Sequence, residues 1–289
     1  MLDNIESQIS LLEFKCRRPV EHLLAGKIRS VFRGSGIEFE DVRSYQPGDD
    51  VRAMDWRVTA RTGEPHIKRF IEEREQHFYL LVDASASMRH DPKGRTFKTV
   101  RDLSAMLTFA AIKNHDRIGL MLFTDIIEHI TAPGKGRSHA MRLLTELVEH
   151  EPAHQASDLN AVLHGLGRMI RKHSIIFILS DFLFDVDLQE LQMLSNQHQV
   201  FAIHVSEKPL PADVPNGLIH IADSETGERE VIELRRGKGS DQQHRKQIRD
   251  LMMSAGVDHL EVEAGSDVVE ALAQFFHAQQ RKAVDETGG

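Results

Sequence analysis

Three almost wholly apolar stretches, Phe78–Val82, Arg117–Phe123 and Ser174–Leu179, decide what this chain can fold into. Each is short for a buried helix, rich in branched or aromatic side chains, and without the alternation of a strand that has one wet face. Such runs read as strands covered on both faces, as in parallel sheets. Between and after them lie segments of helical period. Thr96–Asn114 repeats apolar residues at Val100, Leu103, Leu107, Ala110 and Ala111, and Ser157–Arg171 at Leu159, Val162, Leu163, Leu166 and Ile170. Ser138–Glu149, Leu188–Asn196, Asp241–Ala255 and Ser266–Gln279 read as further helices, and Gln199–Val205 and Asp258–Val262 as further strands. Leu218–Leu234 reads as a hairpin turning at Glu225–Glu228. This alternation predicts an α/β fold: a doubly wound, mostly parallel sheet with helices on both faces.

The expected organisation is a helix and a small β-rich extension over residues 1–75, the α/β domain over 76–280, and a flexible tail over 281–289. In the extension, Gln46-Pro47-Gly48-Asp49-Asp50 is a turn, because proline fixes φ and glycine tolerates positive φ. Residues 17–75 hold 12 basic and 11 acidic side chains, too little positive excess for a nucleic-acid surface. The whole chain carries −8, which again gives no reason to expect nucleic acid as a partner. The lone cysteine, Cys16, excludes an intrachain disulfide framework. No apolar run approaches the length of a membrane span, and the first residues lack a signal-peptide core, so a cytoplasmic protein is expected.

Ligands of open α/β sheets gather beyond the carboxyl ends of the strands. Asp83-Ala84-Ser85-Ala86-Ser87 follows the first apolar run, and its alternation projects a carboxylate and two hydroxyls to one side. Ser180-Asp181 follows the run ending at Leu179, and Ser157-Asp158 opens a predicted helix on the same edge. Asp83, Ser85, Ser87, Ser157 and Asp181 therefore form a hard-oxygen donor set suited to Mg²⁺ or Mn²⁺. Ser157 has a competing role as the helix N-cap.

This pattern resembles the metal-ion-dependent adhesion site of von Willebrand factor type A domains, with Ser157 where a threonine is usual. The stretch Gly34–Glu64, including Arg43, Tyr45, Pro47-Gly48-Asp49-Asp50, Asp55-Trp56-Arg57 and Ala60-Arg61, is similar to the signature of the bacterial "domain of unknown function 58" family. The resemblance implies a type A fold with a β-rich extension, and a metal whose open position takes an acidic side chain from a partner protein. It also implies a partnership with a MoxR-type AAA+ ATPase in chaperone-like assembly. The function expected is a non-enzymatic, metal-dependent protein-interaction module. The rival is a Mg²⁺-dependent phosphate-ester hydrolase with Asp83 as nucleophile, which needs cations such as Arg89, His90 and Lys93 on the same rim.

Other motifs carry less. His150-Glu151-Pro152-Ala153-His154 has the letters of a zinc-protease helix, but Pro152 breaks the helix that would align both histidines. Pro133–Ser138 and Gly237–Ser240 lack phosphate-loop spacing. His204 is expected to be a satisfied core residue, and Trp56 a buried one.

Overall fold

The computed structural model describes residues 9–16, 19–20, 38–71, 75–89, 94–207, 217–222, 229–234 and 239–287. The chain divides into two compact units, one of Met1–Val31 with His77–Gly289 and one of Phe32–Gln76. The start of the chain thus groups with the large unit. There a helix over residues 9–16, α1, buries Ile9, Leu12 and Cys16. Burial, then Asp102, pushes the Cys16 thiol up to about 12.

In the small unit, β1 (Glu38–Ser44) pairs antiparallel with β2 (His66–Ile71). The connection holds the expected turn, with Gly48 at φ 107° and Asp49 bound by both terminal nitrogens of Arg43 at 2.7 and 2.8 Å. It also holds a helix within the extension expected to be β-rich, α2 (Trp56–Thr62). Asp55 caps it by accepting from the amides of Arg57 and Val58, and Gly63, at φ 78°, ends it. Trp56, expected to be buried, is 66 % exposed.

The large unit is built on six strands: β3 (His77–Asp83), β4 (Arg117–Phe123), β5 (Ile127–Gly134), β6 (Ile175–Ser180), β7 (Gln199–Ser206) and β10 (Asp258–Glu263). They lie in the order β10-β7-β6-β3-β4-β5, all parallel except β5, which runs antiparallel to β4 on the edge. This is the expected doubly wound sheet, with one antiparallel edge strand added. A separate hairpin of β8 (Gly217–Ala222) and β9 (Arg229–Leu234) pairs as expected, and its turn at 225–228 lies outside the described residues. The helices are α3 (Ala86–Arg89), α4 (Arg95–Lys113), α5 (Gly136–Glu149), α6 (Leu159–Met169), α7 (Leu188–Gln197), α8 (Gly239–Ser254) and α9 (Val268–Thr287). α9 runs past the end expected at Gln279 and through most of the expected tail.

Both faces of the central strands are buried, which explains their unbroken apolar sequence. On one face Leu81, Met121, Ile176, Ile178 and Ala202 pack with Val162, Leu166, Leu191, Leu194, Ile248 and Met252. The other face carries an aromatic ladder across three neighbouring strands. Phe78 stacks on Phe177 at 6.2 Å and Phe177 on Phe201 at 5.1 Å, and Phe276 meets both Phe177 and Phe201 edge-on. Aromatic pairs of this kind add to what burial alone contributes. At the periphery, Glu13 of α1 accepts two 2.7 Å hydrogen bonds from Arg137 of α5.

Candidate metal centre

The chain lays down β3, β4 and β5 in one direction, then returns to place β6 on the other side of β3. The reversal falls between β3 and β6, and crevices at such switch points are where open α/β sheets hold ligands. Asp83 ends β3, and Ser180 ends β6 beside it. Asp83 is 1 % exposed. Its Oδ1 accepts the Ser85 amide at 2.9 Å, while Oδ2 accepts the hydroxyls of Ser180 at 2.7 Å and Ser157 at 3.1 Å. The Ser85 and Ser87 hydroxyl oxygens are 3.1 Å apart. Asp181, one residue beyond β6, is nearly buried, and its Oδ1 accepts the Leu183 amide at 3.2 Å. Asp83, Ser85, Ser87 and Ser157 are thus joined in one hydrogen-bonded group, and Asp181 lies on the same strand-end edge.

The helix-capping role expected as a competitor at Ser157 falls to its neighbour. Asp158 caps α6 by accepting from the Asn160 and Ala161 amides, so the helix starts at Leu159 and the Ser157 hydroxyl is left to Asp83. Backbone bonds hold the surrounding loops: Ala84 N–H to the Phe123 carbonyl, Ala86 N–H to Gln155, and Asp158 N–H to Thr124, at 2.8, 3.0 and 3.1 Å.

Ser180 is a participant absent from the expected donor set. Besides bonding Asp83, its oxygen accepts the Phe182 amide at 2.9 Å. Phe182 is fully buried at φ 52°, a left-handed conformation that costs a non-glycine residue energy and tends to occur at functional sites. Its ring meets His204 edge-to-face at 5.8 Å. His204 is a core residue as expected, but it is not fully satisfied: its Nδ1 finds no hydrogen-bond partner among the described residues. Burial, reinforced by His259, lowers its pKa to about 4.

Burial raises the Asp83 carboxyl above its ordinary value, even though Ser85, Ser180 and Ser157 all hydrogen-bond to it. All of those partners are neutral. A buried carboxylate ringed by hydroxyls is costly as an anion and is relieved by a cation. The fit to a small hard cation follows from this chemistry, since every donor is oxygen. Among the described residues no three His, Cys, Asp or Glu side chains gather as a metal site, so a cation held here would rely on the serine hydroxyls as well.

The zinc-protease letters do not assemble into a site. His150 ends α5, residues 150–158 are not helical, and the two histidines turn to different acids: His150 to Glu128 at 2.9 Å, His154 to Asp125 at 2.7 Å. Of the cations a hydrolase would need, Arg89 lies over the Phe97 ring at 4.5 Å and faces Glu128 and Glu151, while His90 and Lys93 lie outside the described residues. Gly134 and Gly136 bound the end of β5 and the start of α5, and Gly237 lies outside the described residues.

The sequence profile of the family described as "Protein of unknown function DUF58" matches residues 41–254. An uncharacterized protein of Mycobacterium tuberculosis, Rv1480, is 28 % identical over 293 residues, spanning 97 % of this chain and 91 % of its own. The uncharacterized protein YeaD of Bacillus subtilis is 33 % identical over 79 residues, 27 % of this chain and 18 % of its own. Similar solved structures include the conserved hypothetical protein BatB of Bacteroides thetaiotaomicron, with a TM-score of 0.46 and 13 % identity over 71 % of this chain and 99 % of that one. The SpRpn10 VWA domain has a TM-score of 0.40 and 14 % identity over 69 % and 94 %.

Proposed function

Because the chain belongs to the DUF58 family, whose description names no activity, we propose a function from the site itself: a non-enzymatic module that binds other proteins through a divalent metal. The observation that carries this reading is the Asp83 carboxylate, buried at the switch point and, among the described residues, hydrogen-bonded to neutral groups alone. Asp83, Ser85, Ser87, Ser157 and Asp181 would hold Mg²⁺ or Mn²⁺. When bound, the metal supplies an electrophilic position for a carboxylate of a partner, because a few protein oxygens do not saturate a six-coordinate cation. Asp83 and Asp181 would provide the charge, and the serines would set direction without neutralising the ion further. Specificity must come from the protein surface around the rim, since a metal–carboxylate contact selects no partner by itself. The partner we propose, from the resemblance noted in the sequence, is a MoxR-type AAA+ ATPase or its client, in the cytoplasm. Among the described residues no helix is long and apolar enough to cross a membrane.

Thermal melts test the reading. Mg²⁺ or Mn²⁺ should raise the melting temperature of the wild type and leave an Asp83→Ala/Asp181→Ala variant unmoved, as expected for binding to the native state alone. Equal shifts in both proteins would remove this site. Phosphatase or peptidase turnover that survives purification and disappears with Asp83→Ala would replace the interaction module by an enzyme.

A further inference from the structure

Glu128 sits on the edge strand β5 and belongs to none of the motifs read from the sequence, yet its side chain is only 4 % exposed. The β4–β5 register explains why. Leu122 pairs with His129 and Phe123 with Ile127, which leaves Glu128 as the extra residue of a bulge. Bulges re-aim side chains and are common beside functional sites.

The bulge turns the Glu128 carboxylate toward the loop that carries Ser157. Oε1 accepts the Thr124 hydroxyl at 2.8 Å and the His154 amide at 2.9 Å. Oε2 accepts the Ala153 amide and His150 Nε2, both at 2.9 Å. Burial works to raise its pKa, but these bonds outweigh it and hold the carboxyl below its ordinary value, so it is an ionised acceptor. Charged acceptors make the stronger hydrogen bonds. The guanidinium of Arg89, at the end of the helix that carries Ser87, feels the same negative charge.

Glu128 therefore bonds two separate segments beside the site, Thr124 after β4 and the loop at 150–154. It ties the loop at Ala153 and His154, and two bonds further on anchor that loop to the site: Gln155 accepts the Ala86 amide and the Asp158 amide reaches Thr124. Thr124 itself donates to Glu128. We propose that Glu128 is a positioning residue for the metal centre, holding residues 150–158 so that the Ser157 hydroxyl faces Asp83. The placement of Ser157 stands on geometry alone, whereas the consequence for metal affinity rests on the function proposed above.

The two parts have separate readouts on the whole chain. Hydrogen exchange without metal compares wild type with Glu128→Ala and Glu128→Gln. Removing the carboxylate should speed exchange at least about tenfold at Ala153 and His154, and also at Ala86 and Asp158, which Glu128 does not touch. Glu128→Gln should fall between, because the amide keeps one acceptor oxygen. Exchange that changes only at Ala153 and His154 would make Glu128 a local fastener and overturn the proposal. Mn²⁺ titration then compares Glu128→Ala, Ser157→Ala and the double variant. The single variants should weaken binding by similar factors and the double variant by no more than either. If Ser157→Ala weakens Mn²⁺ binding and Glu128→Ala does not, the positioning role is refuted. If Asp83→Ala leaves Mn²⁺ binding intact, the metal reading fails while the exchange result still judges the loop.

Discussion

Acidification between pH 7 and pH 5 should destabilise this protein through buried imidazoles, before its hydrogen-bonded carboxylates begin to titrate. His204, on β7, meets His244 of α8 at 6.1 Å and His259 of β10 at 5.9 Å between ring centroids. His204 Nδ1, His244 Nε2 and His259 Nε2 are all buried without hydrogen-bond partners among the described residues. Burial lowers His204 and His259 from 6.5 to about 4, and the facing carboxylate gives little relief. That carboxylate, Glu261, already receives Arg245 at 2.7 Å and Arg249 at 3.3 Å. A histidine whose pKa is lowered on folding binds its proton more readily in the unfolded chain. Its contribution is therefore complete above about pH 6.5 and is lost as pH falls toward 4. For such a group the linkage relation gives a loss of about 2 kcal/mol at pH 5 and about 3 kcal/mol at pH 4. His259 is less deeply buried, so the pair should lose about 3 kcal/mol by pH 5, or roughly 6–12 °C in melting temperature for a domain of this size. The assay is far-UV circular dichroism melting from pH 8 to pH 4.5 for wild type and a His204→Phe/His259→Gln variant. Phenylalanine keeps a ring against Phe182 and cannot protonate. The variant should show a much flatter profile above pH 5, even if its absolute stability is lower. An equally steep profile would refute the assignment to this cluster. Asp83, raised on folding, acts in the opposite direction and equally in both proteins. Glu128 and Glu146, whose pKa values are lowered by hydrogen bonds, lose their contributions only below their ordinary value of 4.5, which separates the two windows.

Two further outcomes follow from the site and the small unit. Because the Asp83 carboxyl is raised on folding, its favourable contribution exists only at low pH and is lost as pH rises through the native value. Asp83→Asn should therefore raise the melting temperature of metal-free protein at pH 7, by about 2–4 °C per kcal/mol recovered, while abolishing the metal-induced shift; a lower melting temperature would show that the hydroxyl ring needs the charge. Asp55→Ala should destabilise the small unit by removing the α2 cap. Urea unfolding followed by the fluorescence of Trp56, the chain's only tryptophan, would expose an error if its midpoint did not move.

The large unit's architecture is legible in the sequence because burial on both faces leaves strands such as Ile175–Ser180 without polar interruptions. β5 is not, because an edge strand is partly exposed along Ile127–Gly134 and carries no clean period. The helix α2 is hidden by its shortness and by the charges around it, although Asp55 and Gly63 are its start and stop signals. Within the site, the five expected donors follow from motif spacing and strand ends. Ser180 cannot be separated from Asp181 by sequence, since both follow the same apolar run and only side-chain direction distinguishes them. Glu128 leaves no sequence signal at all, because its role depends on a one-residue register shift between two strands.

That register shift has a consequence beyond the loop it holds. β5 is one of the sheet's two edge strands, and an edge strand offers its backbone to any other chain that can align with it. The bulge bends and twists this ribbon, and Pro133 further along contributes no N–H, so a flat second strand cannot be templated along its length. The bulge that re-aims Glu128 thus also discourages indiscriminate sheet extension along this edge.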